Sequence, residues 1–334
     1  MQPFHHFRIN TVDEAVQLAN EAHQRGQAVR YLAGGTTLVD LMRLEVINPL
    51  VVIDLGNLLD SHTASARVHD GRLSLSAFAS MAEVERDPVV RRQAPVIAES
   101  LAQAASQQIR NMASLGGNLL QETRCPYYRD TAWEACNRRN PGSGCAALNG
   151  ANRQHALLGG NNTCVATYPG DLAQALIALD ARLTIHGPAG QRQLAVADLY
   201  GLDPYPGKPQ LQPAELISAI HIPAGAHTRR SCYVKVRDRS SFAFALASAA
   251  VALRLDRARV GEVRIALGGV ASIPWRARQA EQFLIGKRLD EVTAEAASRV
   301  AFAESRPLSD NGFKVELGVQ TLTRAMLQAP AMEV

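Results

Sequence analysis

Ile109-Arg110-Asn111-Met112-Ala113-Ser114-Leu115-Gly116-Gly117-Asn118-Leu119 opens the stretch around which this chain is organised, and Tyr168-Pro169-Gly170-Asp171-Leu172 closes it. Between them lie Cys125, Cys136, Cys145 and Cys164 in the spacing C-x10-C-x8-C-x18-C, four of the five cysteines of the chain. From Gln121 to Val165 neither a helical nor an alternating pattern is sustained. Loops that long inside a compact domain are uncommon unless they carry function or are disordered. Four thiols, Tyr127, Tyr128 and Trp133 argue against disorder. Something therefore organises the loop, and a metal centre is the expected organiser.

Working outward, 334 residues are enough to bury a sizeable core and to divide into two or three domains. Apolar residues at 47% and charged residues at 20% are ordinary for a globular protein. The net charge of +4 is mild, no dense Lys/Arg run is present and aromatics are 5%, so no nucleic-acid partner is expected. No apolar run reaches the roughly 18–20 residues that span a bilayer. Met1-Gln2-Pro3-Phe4-His5-His6 lacks the basic start and apolar stretch of a secretory signal. The expected compartment is the cytoplasm, or the periplasm if a partner bears the export signal. Five cysteines, most of them in one loop of a large chain, do not resemble a secreted disulfide framework.

Before the loop, Phe7-Arg8-Ile9 reads as a strand and Thr11 with Glu14 as a capping box opening a helix through Ala15, Leu18, Ala19 and Ala22. A strand at Ala28–Leu32 runs into Ala33-Gly34-Gly35-Thr36-Thr37. A helix from Leu38 to Leu44 follows, with Thr37 and Asp40 spaced as a second capping box, and then a strand at Leu50–Leu55. Paired glycines permit positive φ and close backbone approach, and successive N–H groups in such a turn attract phosphate oxygens. The turn is neither a Walker loop nor Gly-x-Gly-x-x-Gly, and on its own it reads as readily as a tight connection. Arg67–Ala77 alternates as a hairpin about Asp70-Gly71, and Met81–Ala105 is helical. Ser114–Asn118 is a second glycine-paired turn, consistent with a dinucleotide that has two ends to hold. After the loop come a helix from Asp171 to Leu179, strands at Ala181–Ile185 and Leu216–Ile222, and a composition shift at Ala224–Arg230. Two apolar runs, Phe244–Leu255 and Val263–Val270, then favour a hairpin, and Ala277–Met326 is mostly helical.

Ala33-Gly34-Gly35-Thr36-Thr37-Leu38, Ser114-Leu115-Gly116-Gly117-Asn118, Asp171-Leu172, and Tyr233-Val234-Lys235 leading into Arg237-Asp238-Arg239-Ser240-Ser241-Phe242-Ala243 together resemble the FAD-binding subunits of the molybdenum hydroxylases. That is the family of xanthine dehydrogenase, CO dehydrogenase and aldehyde oxidoreductases, and the resemblance covers nearly the whole chain. It implies an α+β fold: a two-subdomain FAD-binding domain of the vanillyl-alcohol-oxidase (PCMH) type, then a C-terminal α/β domain of the CO dehydrogenase flavoprotein type. The implied bounds are 1–60 and 61–225 for the two FAD subdomains, and 226–334 for the C-terminal domain. The resemblance also implies that Leu32, Ala33, Gly34, Gly35, Thr36, Thr37, Leu38 and Val39 cradle the pyrophosphate, with Ser114, Gly116, Gly117, Asn118 and Leu119 continuing the contact. Asp171 would bond the flavin side and Lys235 would lie near the isoalloxazine. Read from residues alone, Asp171 is equally a helix N-cap, and Lys235 is a solvated strand lysine.

The long loop at 121–165 departs from most of that family. It resembles the flavin subunit of bacterial periplasmic aldehyde oxidoreductase, in which such a loop holds a [4Fe–4S] cluster, and a related insertion in 4-hydroxybenzoyl-CoA reductase. From spacing alone, disulfides or free thiols, zinc and an iron–sulfur centre all remain open for Cys125, Cys136, Cys145 and Cys164. No C-x2–4-C zinc knuckle is present, and Cys125-Pro126 suits a ferredoxin-like ligand. Arg124, Arg129, Arg138, Arg139 and Arg153 would offset an anionic cluster or form a subunit-facing basic patch. His155 is a candidate contact to flavin or cluster, although a lone histidine is more often structural, and Cys232 is a bystander. The implied role is electron transfer. A large subunit with a molybdenum cofactor oxidises an aldehyde, a small subunit carries [2Fe–2S] clusters, and FAD here passes electrons to an external acceptor. No residue is required as a general acid or base. A self-contained flavin oxidase and a zinc-stabilised structural subunit are the alternatives.

Overall fold

The computed structural model describes residues 1–61 and 65–331. Three short strands open the chain: β1 (His5–Arg8), β2 (Val29–Leu32) and β3 (Val51–Asp54). They form a parallel sheet ordered β1-β3-β2, with Val51, Val52 and Ile53 of the central strand all buried. The helix Val12–Gln24 covers it through Ala15, Val16, Ala19 and Ala22, the face expected from the sequence. Thr11 caps that helix by accepting from the Glu14 N–H at 3.1 Å. The Glu14 carboxylate, however, returns to the Asn10 N–H at 2.8 Å rather than to that of Thr11.

The second sheet is antiparallel. It comprises β4 (Ala66–His69), β5 (Arg72–Ser76), β6 (Arg182–Gly187) and β7 (Gly190–Ala195). After a two-stranded ribbon of β8 (Tyr200–Gly201) and β9 (Lys208–Pro209), it is completed by β10 (Leu216–Ile222) in the order β4-β5-β10-β6-β7. The β4–β5 hairpin turns at Asp70 (φ 50°) and Gly71 (φ 73°), the two left-handed residues of a tight hairpin turn. Met81–Ala105 is helical but divided into Met81–Arg86, Pro88–Gln93 and Pro95–Ala102. Each break falls at a proline, which lacks the N–H to continue the ladder. The expected helix after the loop runs Leu172–Ala178.

The third sheet, β11 (Ser231–Val236), β12 (Ala247–Asp256), β13 (Arg259–Gly268) and β14 (Trp275–Arg276), is also antiparallel. The two apolar runs after the composition shift are the β12–β13 hairpin. Helices Arg278–Leu284, Glu291–Ala301 and Phe313–Gln328 follow, with Leu322, Ala325 and Met326 fully buried. The second and third sheets share a core: Tyr233, Ala250, Ala252 and Ala266 pack in one cluster with Val96, Ile97, Leu101, Leu172 and Leu176. Asp180, at the end of the 172–178 helix, adds a clasp by accepting from Arg264 and Arg276. Residues before and after the composition shift therefore meet across a buried apolar core, with a partly exposed ion-pair clasp at its edge.

Candidate functional site

Two cavities, of about 740 and 660 Å3, meet at the paired-glycine turns. Thr36, Thr37, Ala113 and Gly117 line both. The smaller runs back past Tyr31, Phe78 and Pro213, between the first two sheets. The larger runs forward past Asp171 and His155 to the segment Asp238–Leu246. Together they make one elongated cleft with its waist at the glycines.

The waist is narrow because the backbones touch. A Cβ on Gly34 would lie 1.7 Å from the Met112 carbonyl oxygen, and Gly35 has φ +73°, a conformation that side chains disfavour. Gly116 is pinned from behind by its N–H to Ala77 O at 2.8 Å, and Ser114 Oγ accepts from the Gly117 N–H at 3.1 Å. Ser114–Asn118 is thus not the open turn read from the sequence but the capped start of a one-turn helix, Leu115–Leu119. Facing it, the amides of Gly34, Gly35, Thr36 and Thr37 have no hydrogen-bond partner among the described residues. Four consecutive free N–H groups on a glycine turn form an anion-binding concavity.

The capping box expected at Thr37 and Asp40 is absent. Thr37 makes no side-chain cap, and the Asp40 carboxylate instead receives Arg129 at 2.8 Å and Arg124 at 3.1 Å. Hydrogen bonding from Arg129 and both guanidinium charges hold the Asp40 carboxyl below its ordinary value, while burial beside Arg129 lowers Arg124. The cysteine loop is thereby fastened to the helix that follows the first glycine turn.

Asp171 lies on the wall of the larger cavity, 3% exposed. It stands at the N-cap position of the 172–178 helix but makes no side-chain capping bond: its Oδ1 accepts from Tyr233 at 2.6 Å and its Oδ2 from Lys235 Nζ at 2.7 Å. The solvated reading of Lys235 is overturned, since its side chain is 1% exposed and also donates to Gln103 O at 3.0 Å. Tyr233 and Lys235 are two apart on β11, so both point to the face where Asp171 waits. That spacing is the signal from which Tyr233 was recoverable. Ala33, Gly34, Gly35, Thr36, Thr37, Leu38, Ser114, Gly116, Gly117, Asn118 and Asp171 line the cleft. Leu32, Val39, Leu119 and Lys235 stand behind or beside its wall; the Leu119 carbonyl is held by Tyr200 Oη at 2.9 Å.

All four loop cysteines line a third, much smaller space of about 10 Å3, with Tyr127, Tyr128, Ala147 and Ala166 around them. They are free thiols, as is Cys232, which is buried in β11. Short polar side chains replace regular structure in shaping the loop. Asn137 Oδ1 accepts from Gly142 and Gly144, both at positive φ, and Asn161 Oδ1 accepts from the Cys164 N–H at 3.0 Å. Cys136 and Cys145 face each other across an isolated antiparallel bridge. Burial pushes the Cys125 thiol up to about 12 and raises Cys164 as well. Among the described residues, no set of three or more His, Cys, Asp or Glu side chains is arranged to hold a single metal ion. Of the five arginines expected near the thiols, Arg138 bears on Cys164 while pairing Glu122. Arg124 and Arg129 serve Asp40, Arg153 serves Asp238, and Arg139 donates to the Tyr127 and Tyr128 carbonyls.

Cys125 belongs to both the thiol nest and the large cavity, and His155 stands beside it with Nε2 3.2 Å from Sγ. Burial pulls the His155 imidazole down to about 4, leaving it neutral at pH 7. Behind it, Lys314 is fully buried and donates to the carbonyls of Gln154, His155 and Gly269, with burial lowering it to about 7. Asn152 and Asp310 exchange hydrogen bonds across the same seam. Nothing in the local sequence marks Lys314 or Asn152, because their partners lie some 160 positions away.

Residues 2–225 match the family described as the FAD binding domain in molybdopterin dehydrogenase. The chain belongs to this family. Residues 232–329 match the CO dehydrogenase flavoprotein C-terminal domain, so the two matches meet where the composition shifts. The flavoprotein is 40% identical over 341 aligned positions to the aldehyde oxidoreductase FAD-binding subunit PaoB of Escherichia coli, covering 99% of each chain. It is 25% identical to the carbon monoxide dehydrogenase medium chain of Hydrogenophaga pseudoflava, over 97% of this chain and 96% of that one. The solved carbon monoxide dehydrogenase from Hydrogenophaga pseudoflava superposes with a TM-score of 0.76 at 23% identity, covering 100% of this chain and 99% of that chain, which shows the shared fold. The α+β architecture expected from the sequence is the one found. The protein is an FAD subunit of an oxidoreductase of the xanthine dehydrogenase and aldehyde oxidoreductase type. No helix among the described residues is long and apolar enough to cross a membrane.

Proposed function

We propose that this flavoprotein is the electron-transfer subunit of a molybdenum-dependent aldehyde oxidoreductase, and that its cysteine loop holds a [4Fe–4S] cluster. In this reading a partner subunit with the molybdenum cofactor oxidises the aldehyde, a second partner carries [2Fe–2S] clusters, and electrons leave for an external acceptor. The likeness to the aldehyde oxidoreductase subunit supports the substrate class. The single observation that carries the cofactor reading is the joint geometry: a cleft pinched at two glycine turns, with the thiol nest opening on its larger end through Cys125.

Bound FAD supplies one- and two-electron chemistry and the cluster supplies one-electron chemistry, while the chain supplies position and electrostatics. The free amides of Gly34–Thr37, faced by Ser114, Gly116 and Gly117, suit the pyrophosphate. The cavity past Tyr31 and Pro213 takes the adenosine end, and the one past Asp171 the flavin end. Asp171 is presented by Tyr233 and Lys235, which satisfy both its oxygens and fix its orientation. Cys125, Cys136, Cys145 and Cys164 are soft donors that line one small space together, and four thiolates are the donor set that an iron–sulfur core takes. Division into 1–60, 61–225 and 226–334 accords with the three separate sheets.

The visible spectrum and metal content of the purified chain test this reading. Flavin bands with broad iron–sulfur absorption and about four irons per chain are expected. Flavin alone would leave a simple flavoprotein. A colourless chain with zinc as its metal would refute the proposal.

A further inference from the structure

Cys125 forms part of the partition between the large cavity and the thiol nest, and the imidazole of His155 lies against that cysteine. His155 is 3% exposed, and the one polar contact of its ring among the described residues is Cys125 Sγ, at 3.2 Å from Nε2. Its Nδ1 is buried with no partner among the described residues. A histidine kept for packing would ordinarily have both nitrogens satisfied or one in water. Here, among the described residues, the ring's polar contact is a sulfur, with the Tyr127 ring 6.3 Å away between centroids.

The backbone that carries the ring is held on both sides. The His155 N–H donates to Asn152 O at 2.9 Å, and its carbonyl accepts from Lys314 Nζ at 3.0 Å and Asn311 Nδ2 at 3.2 Å. Asn311 and Lys314 come from the start of the last helix, Phe313–Gln328, so the C-terminal region helps to fix the main chain at His155. A ligating sulfur carries no proton, which makes Nε2–H the donor and Sγ the acceptor.

We propose that His155 is a positioning residue for the electron carrier in the cysteine loop: its Nε2–H bonds Cys125 Sγ and raises the reduction potential of the cluster at the wall facing the flavin. This rests on the [4Fe–4S] reading above. One-electron reduction adds a negative charge that the thiolate sulfurs share. A fixed N–H dipole in a water-poor site stabilises that added charge more than the oxidised form. Hydrogen bonds to ligand atoms tune metal centres in this way. The donor would act on Cys125, the sulfur that also lines the larger cavity.

The test is an EPR-monitored potentiometric titration of the full chain with its native cofactors, comparing wild type with His155→Leu and His155→Gln. Leucine removes the donor; glutamine carries an amide N–H to about the same place. His155→Leu is expected to weaken one-electron reduction about tenfold, which is a 59 mV fall in potential, with iron and flavin content unchanged. His155→Gln should recover part of the shift. An iron-replete His155→Leu protein with the wild-type potential would overturn the proposal. If that variant loses its iron, pulsed EPR on dithionite-reduced wild type labelled with 15N-histidine decides instead. Coupling to one ring nitrogen is expected, and its absence overturns the proposal. A wild-type chain lacking iron and acid-labile sulfide would overturn the cluster reading itself, and is told apart because no iron–sulfur EPR signal is then present to titrate.

Discussion

The waist of the cleft offers a sharp perturbation, Gly34→Ala. The added Cβ would sit 1.7 Å from the carbonyl oxygen of Met112 and 3.1 Å from the Ala113 nitrogen. These are backbone atoms, so no rotamer change relieves the clash. The contact has to open from 1.7 Å to beyond 3 Å, and the segments that move apart are the two glycine turns proposed to face the pyrophosphate. Forcing a methyl into a filled site costs roughly 1–3 kcal/mol. At 1.4 kcal/mol per tenfold, that corresponds to a loss of about fivefold to a hundredfold in FAD affinity if binding must close the waist again. The assay is reconstitution of flavin-stripped protein, with Kd read from quenching of flavin fluorescence and with flavin stoichiometry of the purified variant. Gly312→Ala is the control: its backbone is already helical (φ −57°) and its nearest outside neighbour is Pro307 Cβ at 3.9 Å. The control should bind FAD as wild type. If Gly34→Ala also binds FAD with wild-type affinity and stoichiometry, the waist is not where the dinucleotide is held.

Three further outcomes follow from the same geometry. Lys235→Met strands the Asp171 carboxylate in a dry seam and should destabilise by about 3–5 kcal/mol, whereas Asp171→Asn with Lys235→Met should recover part of that loss. Denaturant unfolding of the two single variants and the double variant closes the cycle, and strict additivity would show the 2.7 Å pair to be uncoupled. Asp40 is held below the ordinary carboxylate value, so the stability it contributes is full above about pH 3.9 and is lost as pH falls through its lowered value. The stability gap between wild type and Asp40→Asn should therefore be flat near neutrality and narrow in acid; a gap that widens in acid would contradict the Arg124 and Arg129 assignment. Cys136→Ser should lower iron content and the broad visible absorption while the flavin bands persist, because Cys136 lines the thiol nest but not the cleft. Iron retained at the wild-type level would remove Cys136 from the ligand set.

What the sequence made legible was local, and what it hid was long-range. The β4–β5 hairpin announces itself because Asp70-Gly71 is the dipeptide that tolerates two left-handed residues in succession. Gly34-Gly35 and Gly116-Gly117 are readable for a similar reason: a missing side chain is a local fact. That Gly34 is needed because Met112 lies against it is a fact about two segments 78 positions apart, and no window along the chain contains both. Asp40 misleads in the opposite direction. Its distance from Thr37 satisfies a capping pattern, yet two arginines from the cysteine loop outcompete a backbone N–H for the carboxylate, since each brings a full positive charge where the N–H brings only a dipole. Lys235 misleads too, because lysine in a strand is usually solvated and only a carboxylate in the same pocket makes its burial tolerable. The cysteine loop is the extreme case. Its shape depends on Asn137, Asn161 and Asn152 substituting side-chain hydrogen bonds for a ladder, and on Asn311 and Lys314 arriving from the far end of the chain. Periodicity is silent there because the loop is built from contacts that have no period. The irregularity that makes its structure illegible is also what lets four widely spaced sulfurs turn inward together.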